Sequence, residues 1–258
     1  MIILEWDMVS DKSSQNPSID LTSFDELFSN PAVVEHLKGI SETSYAAAAE
    51  FWRAPMAGRH LTPRMKELIY FAMNASASAL NVDVIRRHTK RILAAGGTEE
   101  DIIDVLISSV ALANHSLYAS VPVLEDEWKA AGMPDEEYPE FDSSPALVEA
   151  KKRFVEIRGF WNKDREPVAR QMPEYYAALS DIGTESWSRG SLTRKEREFI
   201  CIGIDCTVLH TYEPGLRIHI RNAIREGATK GEILEIFQLG ALLGLEGIVV
   251  TAESLAGN

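Results

Sequence analysis

At 258 residues, 45% hydrophobic and 25% charged, the chain has the composition of a soluble globular protein with enough length for one large core or two ordinary ones. Its net charge of −13 argues against nucleic acid as a partner, because phosphate binding needs clustered Lys and Arg. It does not bar a small acidic substrate, since a pocket has its own local field.

In chain order, residues 1–21 read as an irregular arm. MIILEWDMV lacks the basic region and small-residue cleavage site of a signal peptide, and SDKSSQNPS is polar with a proline. Residues 24–37 read as short helical pieces broken at Pro31, and residues 42–52 as a helix leading into the turn-rich RAPMAGRH. Helices are expected from about Pro63, Asn81 and Thr98, the last reaching towards Trp128. AAGMPDEEYPEFDSSP has no periodicity and is the linker. Residues 146–158 are then helical, GFWNKDREP is a turn, and residues 168–178 form a helix interrupted near Pro173. No run approaches the length of a membrane span, and Val, Ile and Thr follow helical rather than strand spacing. The expected class is all-α. Cys201 and Cys206 fall in one predicted helix on different faces, which fits a reducing cytoplasm without a disulfide framework.

Residues 192–243 are the most organised stretch. Thr193 with Glu196 and Thr229 with Glu232 are capping-box patterns, and Pro214 and Gly227 bracket a helix between them. The run FICIGI is apolar nearly all round, so its helix should be largely buried. Two ionisable residues stand out on these apolar surfaces, Glu198 and His219, the latter on one face with Leu216, Ile220 and Ala223. The same stretch occurs once more. Shifting the chain by 131 residues aligns it without a gap: Glu67 matches Glu198, Arg86 matches Arg217, His88 matches His219, Gly96 matches Gly227 and Thr98 matches Thr229. This is a duplicated unit rather than a solenoid. The expected organisation is residues 1–132, with the arm and the first copy, and 145–258, with the second. The copies should be related by an approximate two-fold.

The segments LTPRMKELI…RRHTKRILAAGGTEEDIIDVL and LTRKEREFI…RIHIRNAIREGATKGEILEIF resemble the carboxymuconolactone decarboxylase family, which includes the alkylhydroperoxidase D-like proteins. The resemblance covers roughly residues 49–128 and 175–255. RFVEIRGFWN, before the second copy, also looks like the tandem members. The resemblance implies a duplicated alkylhydroperoxidase D-like helical fold. Its peroxidase branch uses a Cys-x-x-Cys ahead of the histidine. Asn81 and Val84 hold those places in one copy, Tyr212 and Gly215 in the other, so no thiol peroxidase is expected. The decarboxylase branch implies a cofactor-independent carboxy-lyase on a small carboxylated lactone or related acid. Drifted isomerase, hydrolase or weak peroxidase chemistry, or a non-catalytic small-molecule binder, are the alternatives. Single-repeat relatives assemble as larger rings, so a homo-oligomer is expected here, with a trimer favoured.

The catalytic candidates are His219, Glu198, His210, His88 and Glu67. Each histidine is either a proton carrier oriented by its glutamate or a satisfied core residue. Each glutamate either orients a ring or answers a helix dipole. His210 has no histidine counterpart, since Ala79 stands there, and is read as reaching the pocket or as an exposed loop residue. His115, Tyr212 and Arg217 are substrate-binding candidates, and Arg86 and Arg221 are further cations. Glu246 replaces His115 in the second copy, which suggests that the two sites are no longer equivalent. No metal is expected: His210, Glu213 and His219 are ligand types, but no histidines pair at i,i+4 on a helix.

Overall fold

The computed structural model describes residues 19–134 and 137–256; most of the N-terminal arm therefore lies outside the described residues. Twelve α-helices and four short 3-10 turns make up the described residues, and no strand occurs among them. The first half comprises α1 (Pro31–Met56), α2 (Pro63–Ala75), α3 (Val82–Ala94), α4 (Glu99–Val110) and α5 (His115–Ala130). The second comprises α6 (Pro145–Arg158), α7 (Arg165–Gln171), α8 (Pro173–Arg189), α9 (Arg194–Asp205), α10 (Glu213–Arg225), α11 (Lys230–Ala241) and α12 (Glu246–Ala256). The offset of 131 carries α2–α5 onto α9–α12, helix for helix.

Local chemistry explains the boundaries. The Oγ1 atoms of Thr62, Thr98, Thr193 and Thr229 accept hydrogen bonds from N3 backbone amides, and the last three complete capping boxes with Asp101, Glu196 and Glu232. Gly96 and Gly227 end α3 and α10 at φ of 85° and 83°, in the left-handed region. Pro31 opens α1 where a break was expected. Its missing N–H costs nothing in the first turn, and Asn30 caps the helix by accepting from Ala32. The irregularity lies further on, at Ser41.

The core centres on α2 and α9, which pack against each other. Every residue from Met65 to Asn74 and from Arg197 to Asp205 is buried. Gly203 permits the approach, since a Cβ there would lie 2.8 Å from Ile69 Cγ2. The halves interlock: α4 packs on α8 and α9, and α11 on α1 and α2. Charges are exchanged the same way. Arg197 of the second half pairs with Asp104 of the first at 2.5 Å, and Lys66 of the first pairs with Glu235 of the second at 3.7 Å. Reciprocal contacts of this kind are what a two-fold relation between the copies produces. One continuous apolar core draws on both halves, while a smaller one, around Tyr118, Phe141, Val168 and Tyr176, joins α5 to α6–α8.

Two stretches, Glu99–Ala130 and Lys230–Leu255, are long and apolar enough to cross a membrane by length and composition alone, which corrects the sequence-based expectation that none approached it. Each is interrupted by a 3-10 turn, at Ala111–Asn114 and Leu242–Leu245. Each also commits acidic residues to buried ion pairs across the halves: Asp104 with Arg197, Glu235 with Lys66, Glu246 with Arg87.

Candidate functional site

Glu198 lies seven residues before the end of α9 and His219 six residues after the start of α10. At 1.5 Å per residue, both stand roughly 9–11 Å above the connecting turn. The antiparallel pair therefore meets, and His219 Nδ1 lies 2.6 Å from Glu198 Oε2. The first copy repeats this, with His88 Nδ1 at 2.6 Å from Glu67 Oε2.

The two pairs have opposite proton chemistry, and two differences between the copies bear on it: Asn222 stands where the first copy has Arg91, and Cys201 where it has Tyr70. In the first copy Arg91 donates to both Glu67 oxygens, from Nε at 3.1 and 3.2 Å and from Nη2 at 2.9 Å. The carboxylate is already neutralised by a permanent cation. Burial, aided by Arg91 and Arg87, then holds the His88 pKa below the ordinary histidine value, despite Glu67. In the second copy Asn222 occupies the Arg91 position, and its neutral amide donates to Glu198 Oε1 at 3.1 Å. Burial opposes charge on His219 too, but Cys201 and the hydrogen-bonded Glu198 carboxylate outweigh it and put the pKa well above the ordinary value. The surroundings thus favour charge on His219 and disfavour it on His88.

Their surroundings differ as well. His88 is sealed between Trp52 and Tyr70, with ring centroids at 6.2 and 4.6 Å, and its Nε2 has no partner. His219 lines a cavity of about 40 Å³ shared with His115, Tyr118, Tyr212, Arg158, Phe160 and Arg165. His115 comes from the first half and completes the site of the second. Its counterpart Glu246 crosses the other way and accepts from Tyr70 at 2.9 Å and from Arg87.

Below His219 lies a second polar group. His115 Nδ1 is 2.9 Å from His210 Nε2, and each of these nitrogens is 3.5 Å from Asp205 Oδ1. Asp205 Oδ2 is 4.0 Å from His219 Nε2. Tyr212 stacks on His115 at 3.9 Å, with ring planes 18° apart. The turn that presents His210 closes through Tyr212 N to Asp205 O at 3.1 Å and holds Thr211 at φ 38°. A β-branched residue there stores about 1–3 kcal/mol of strain. Burial pushes the Asp205 carboxyl up to about 7 and, reinforced by His219, His210 and Arg165, pushes His115 down to about 3. Burial also lowers His210.

The structure thus gathers His219, Glu198, His115, His210 and Tyr212 in one place. It leaves His88 and Glu67 together but closed off. It puts Arg217 on the surface, where it bonds Glu213 at 2.7 Å and does not line the cavity. Sequence reasoning missed the cations that do line it. Arg158 ends α6, 4.0 Å above the Trp187 ring, and donates from Nη1 to the Gly183 carbonyl at 2.8 Å. Arg165 opens α7, 4.1 Å over Phe154. The Nε of each has no hydrogen-bond partner, and neither pairs with a carboxylate among the described residues. Arg158 lies inside RFVEIRGFWN, so position in that segment was the available signal. Asp205 was missed too, although an acid closing the apolar FICIGI helix was visible.

A family model described as the carboxymuconolactone decarboxylase family matches residues 42–126 and 173–253. Among solved structures, a protein of Burkholderia xenovorans LB400, provisionally described as a gamma-carboxymuconolactone decarboxylase subunit, is 27% identical with a TM-score of 0.82. The match covers 93% of this chain and 98% of that one. Comparison with curated proteins found no match.

Proposed function

The chain belongs to the carboxymuconolactone decarboxylase family, and from that premise we propose that it is a carboxy-lyase acting on a small carboxylated lactone or a related organic acid. The observation that carries this reading is a histidine hydrogen-bonded to a buried carboxylate that favours its protonated form, in a cavity that also holds two arginines without an acidic partner among the described residues. The arginines supply charge for an organic anion. In the reaction, the bond from ring carbon to carboxylate breaks and carbon dioxide leaves. The electron pair passes through the double bond into the lactone carbonyl, forming an enolate. His219 then delivers its Nε2 proton to carbon, and Glu198 holds the ring through Nδ1. Negative charge migrates from the departing carboxylate to the lactone oxygen, so an arginine accelerates the step only if it sits nearer that oxygen. This chemistry needs no cofactor in principle, because the substrate carries its own electron sink.

A cavity of about 40 Å³ is smaller than such a substrate. The proposal therefore requires residues 159–163, which bring Phe160 and Asn162 to the lining, to move aside from Gly159, at φ 77°, while Arg158 and Arg165 stay in place. The test is a mass-spectrometric screen for carbon dioxide loss over a panel of lactone acids. Turnover should vanish in His219→Gln with the circular-dichroism spectrum unchanged, and Arg165→Met should weaken binding about 10–100-fold, as expected for a lost charged hydrogen bond. Arg217→Ala should change neither. Turnover that survives His219→Gln would sink the proposal, and tight binding without turnover would mark a binding protein.

We also propose a cytoplasmic homo-oligomer, with a trimer of tandem chains favoured. Exposed apolar residues such as Val208, Leu209, Ile224 and Phe237 support it, and the related structure is itself described as a subunit. A monomer in light scattering at micromolar concentration would refute it.

A further inference from the structure

We propose that His115, Asp205 and His210 bind one divalent transition-metal cation of the zinc or ferrous-iron class. Their three ligand atoms form a triangle with edges of 2.9, 3.5 and 3.5 Å. Its centre lies about 2 Å from every corner, which matches the ~2.0–2.2 Å that zinc keeps from imidazole nitrogen and carboxylate oxygen. The three atoms belong to two imidazoles and one carboxylate. That donor set suits zinc, iron, cobalt or nickel rather than magnesium or calcium, which prefer all-oxygen shells. Three protein ligands leave a position open on the side where His115, Gly215 and His219 line the cavity.

The carboxylate is the second observation. Asp205 is 1% exposed and neither of its oxygens has a hydrogen-bond partner. A buried carboxyl group left without a partner is costly. The histidine pair does not relieve it: the rings bond each other at 2.9 Å, and both nitrogens stand off at 3.5 Å from Oδ1. A cation at the centre of the triangle would serve all three groups at once.

The surroundings are built for it. Gly215 opens the space, since a Cβ there would come within 2.4 Å of Asp205 Oδ2 and 3.1 Å of His115 Cε1. Tyr212 fixes the His115 ring from one face. The other repeat provides an internal comparison. Asn74, Ala79, Glu246 and Val84 stand where Asp205, His210, His115 and Gly215 stand here, and Asn74 satisfies itself on the Tyr70 carbonyl at 2.8 Å. The ligand set lies at the site with the cavity and is absent from the sealed one. The inference goes beyond the proposed reaction and stands without it.

The test uses the full chain, stripped with a chelator and titrated with Co²⁺, whose visible absorption reports its ligands, and then with Zn²⁺ in competition. One equivalent of Co²⁺ per chain should bind and be displaced by Zn²⁺. Asp205→Asn and His210→Ala install the residues that the first repeat already carries at these positions, so folding is expected and is checked by circular dichroism. Each should weaken binding at least about 100-fold, the upper end of the loss seen when a ligand's supporting shell is removed. Glu213→Gln, which alters an exposed carboxylate beside the turn, should bind as the parent does. Absence of a stoichiometric site in the parent chain, or undiminished binding in Asp205→Asn and His210→Ala, would overturn the proposal. Carbon dioxide release is not the readout, so failure of the proposed reaction leaves this result intact.

Discussion

The same substitution made in each repeat, Glu198→Gln and Glu67→Gln, should destabilise the protein with opposite pH behaviour. Glu198 lies 2.6 Å from His219 and favours its charged form, with only the neutral Asn222 as a second partner. Losing a hydrogen bond to a charged group costs about 1.5–3 kcal/mol. At roughly 2–4 °C per kcal/mol for a chain of this size, the melting temperature should fall by about 3–12 °C. A histidine whose folded pKa lies above its unfolded value of about 6.5 contributes its full stability below that value, and loses it as pH rises through the folded pKa. The folded pKa of His219 is raised, so the gap between parent and Glu198→Gln should be widest near pH 6 and shrink towards pH 9. Glu67→Gln instead strands Arg91, which is 1% exposed. Leaving a buried charge unpaired costs about 3–5 kcal/mol. Arg91 does not titrate in this range, and His88, with its pKa lowered, is neutral throughout it above its unfolded value. That gap should be larger and flat from pH 7 to 9. The assay is thermal unfolding by circular dichroism of chelator-treated protein at fixed concentration and several pH values. A Glu198→Gln gap that stays constant between pH 6 and 9 would refute the assignment of the charge to His219.

Arg91→Asn gives Glu67 the amide partner that Glu198 has, and should raise the His88 pKa; an unchanged imidazole titration by NMR would contradict the reasoning. Gly215→Ala should cost about 1–3 kcal/mol, the usual penalty for overpacking, because its Cβ would meet Asp205 Oδ2 at 2.4 Å and Tyr212 Cδ1 at 2.7 Å; urea unfolding measures it. Peroxide turnover should not depend on either cysteine: burial pushes the Cys206 thiol up to about 12, and Cys201 is 1% exposed. Activity abolished by Cys206→Ser would show otherwise.

Much of this was legible without coordinates. Helix caps are local chemistry, so Thr98, Thr193, Thr229, Gly96 and Gly227 marked boundaries that the structure keeps. The repeat marked Glu198 and Glu67 each with a histidine, and the observed helix bounds bring each pair together, because similar offsets from one turn give similar heights on two antiparallel helices. What the chain order hides is which distant segment closes each site. His115 reaches the second-copy site from the first half, and Arg158 and Arg165 arrive from the segment before α8. Arg217, by contrast, was chosen for its charge and its place in the motif, and the packing of α10 turns it to solvent. Nor could the sequence weigh the Arg91 and Asn222 difference. Both residues are polar in matching helices, but a permanent cation and a neutral amide have opposite effects on a neighbouring histidine only once burial excludes the water that would screen them. Sequence by itself determined the helices, the duplication and the two Glu–His pairs. Tertiary structure decided which pair favours a charged histidine and faces a cavity, because pKa and access depend on groups brought close in space from far along the chain.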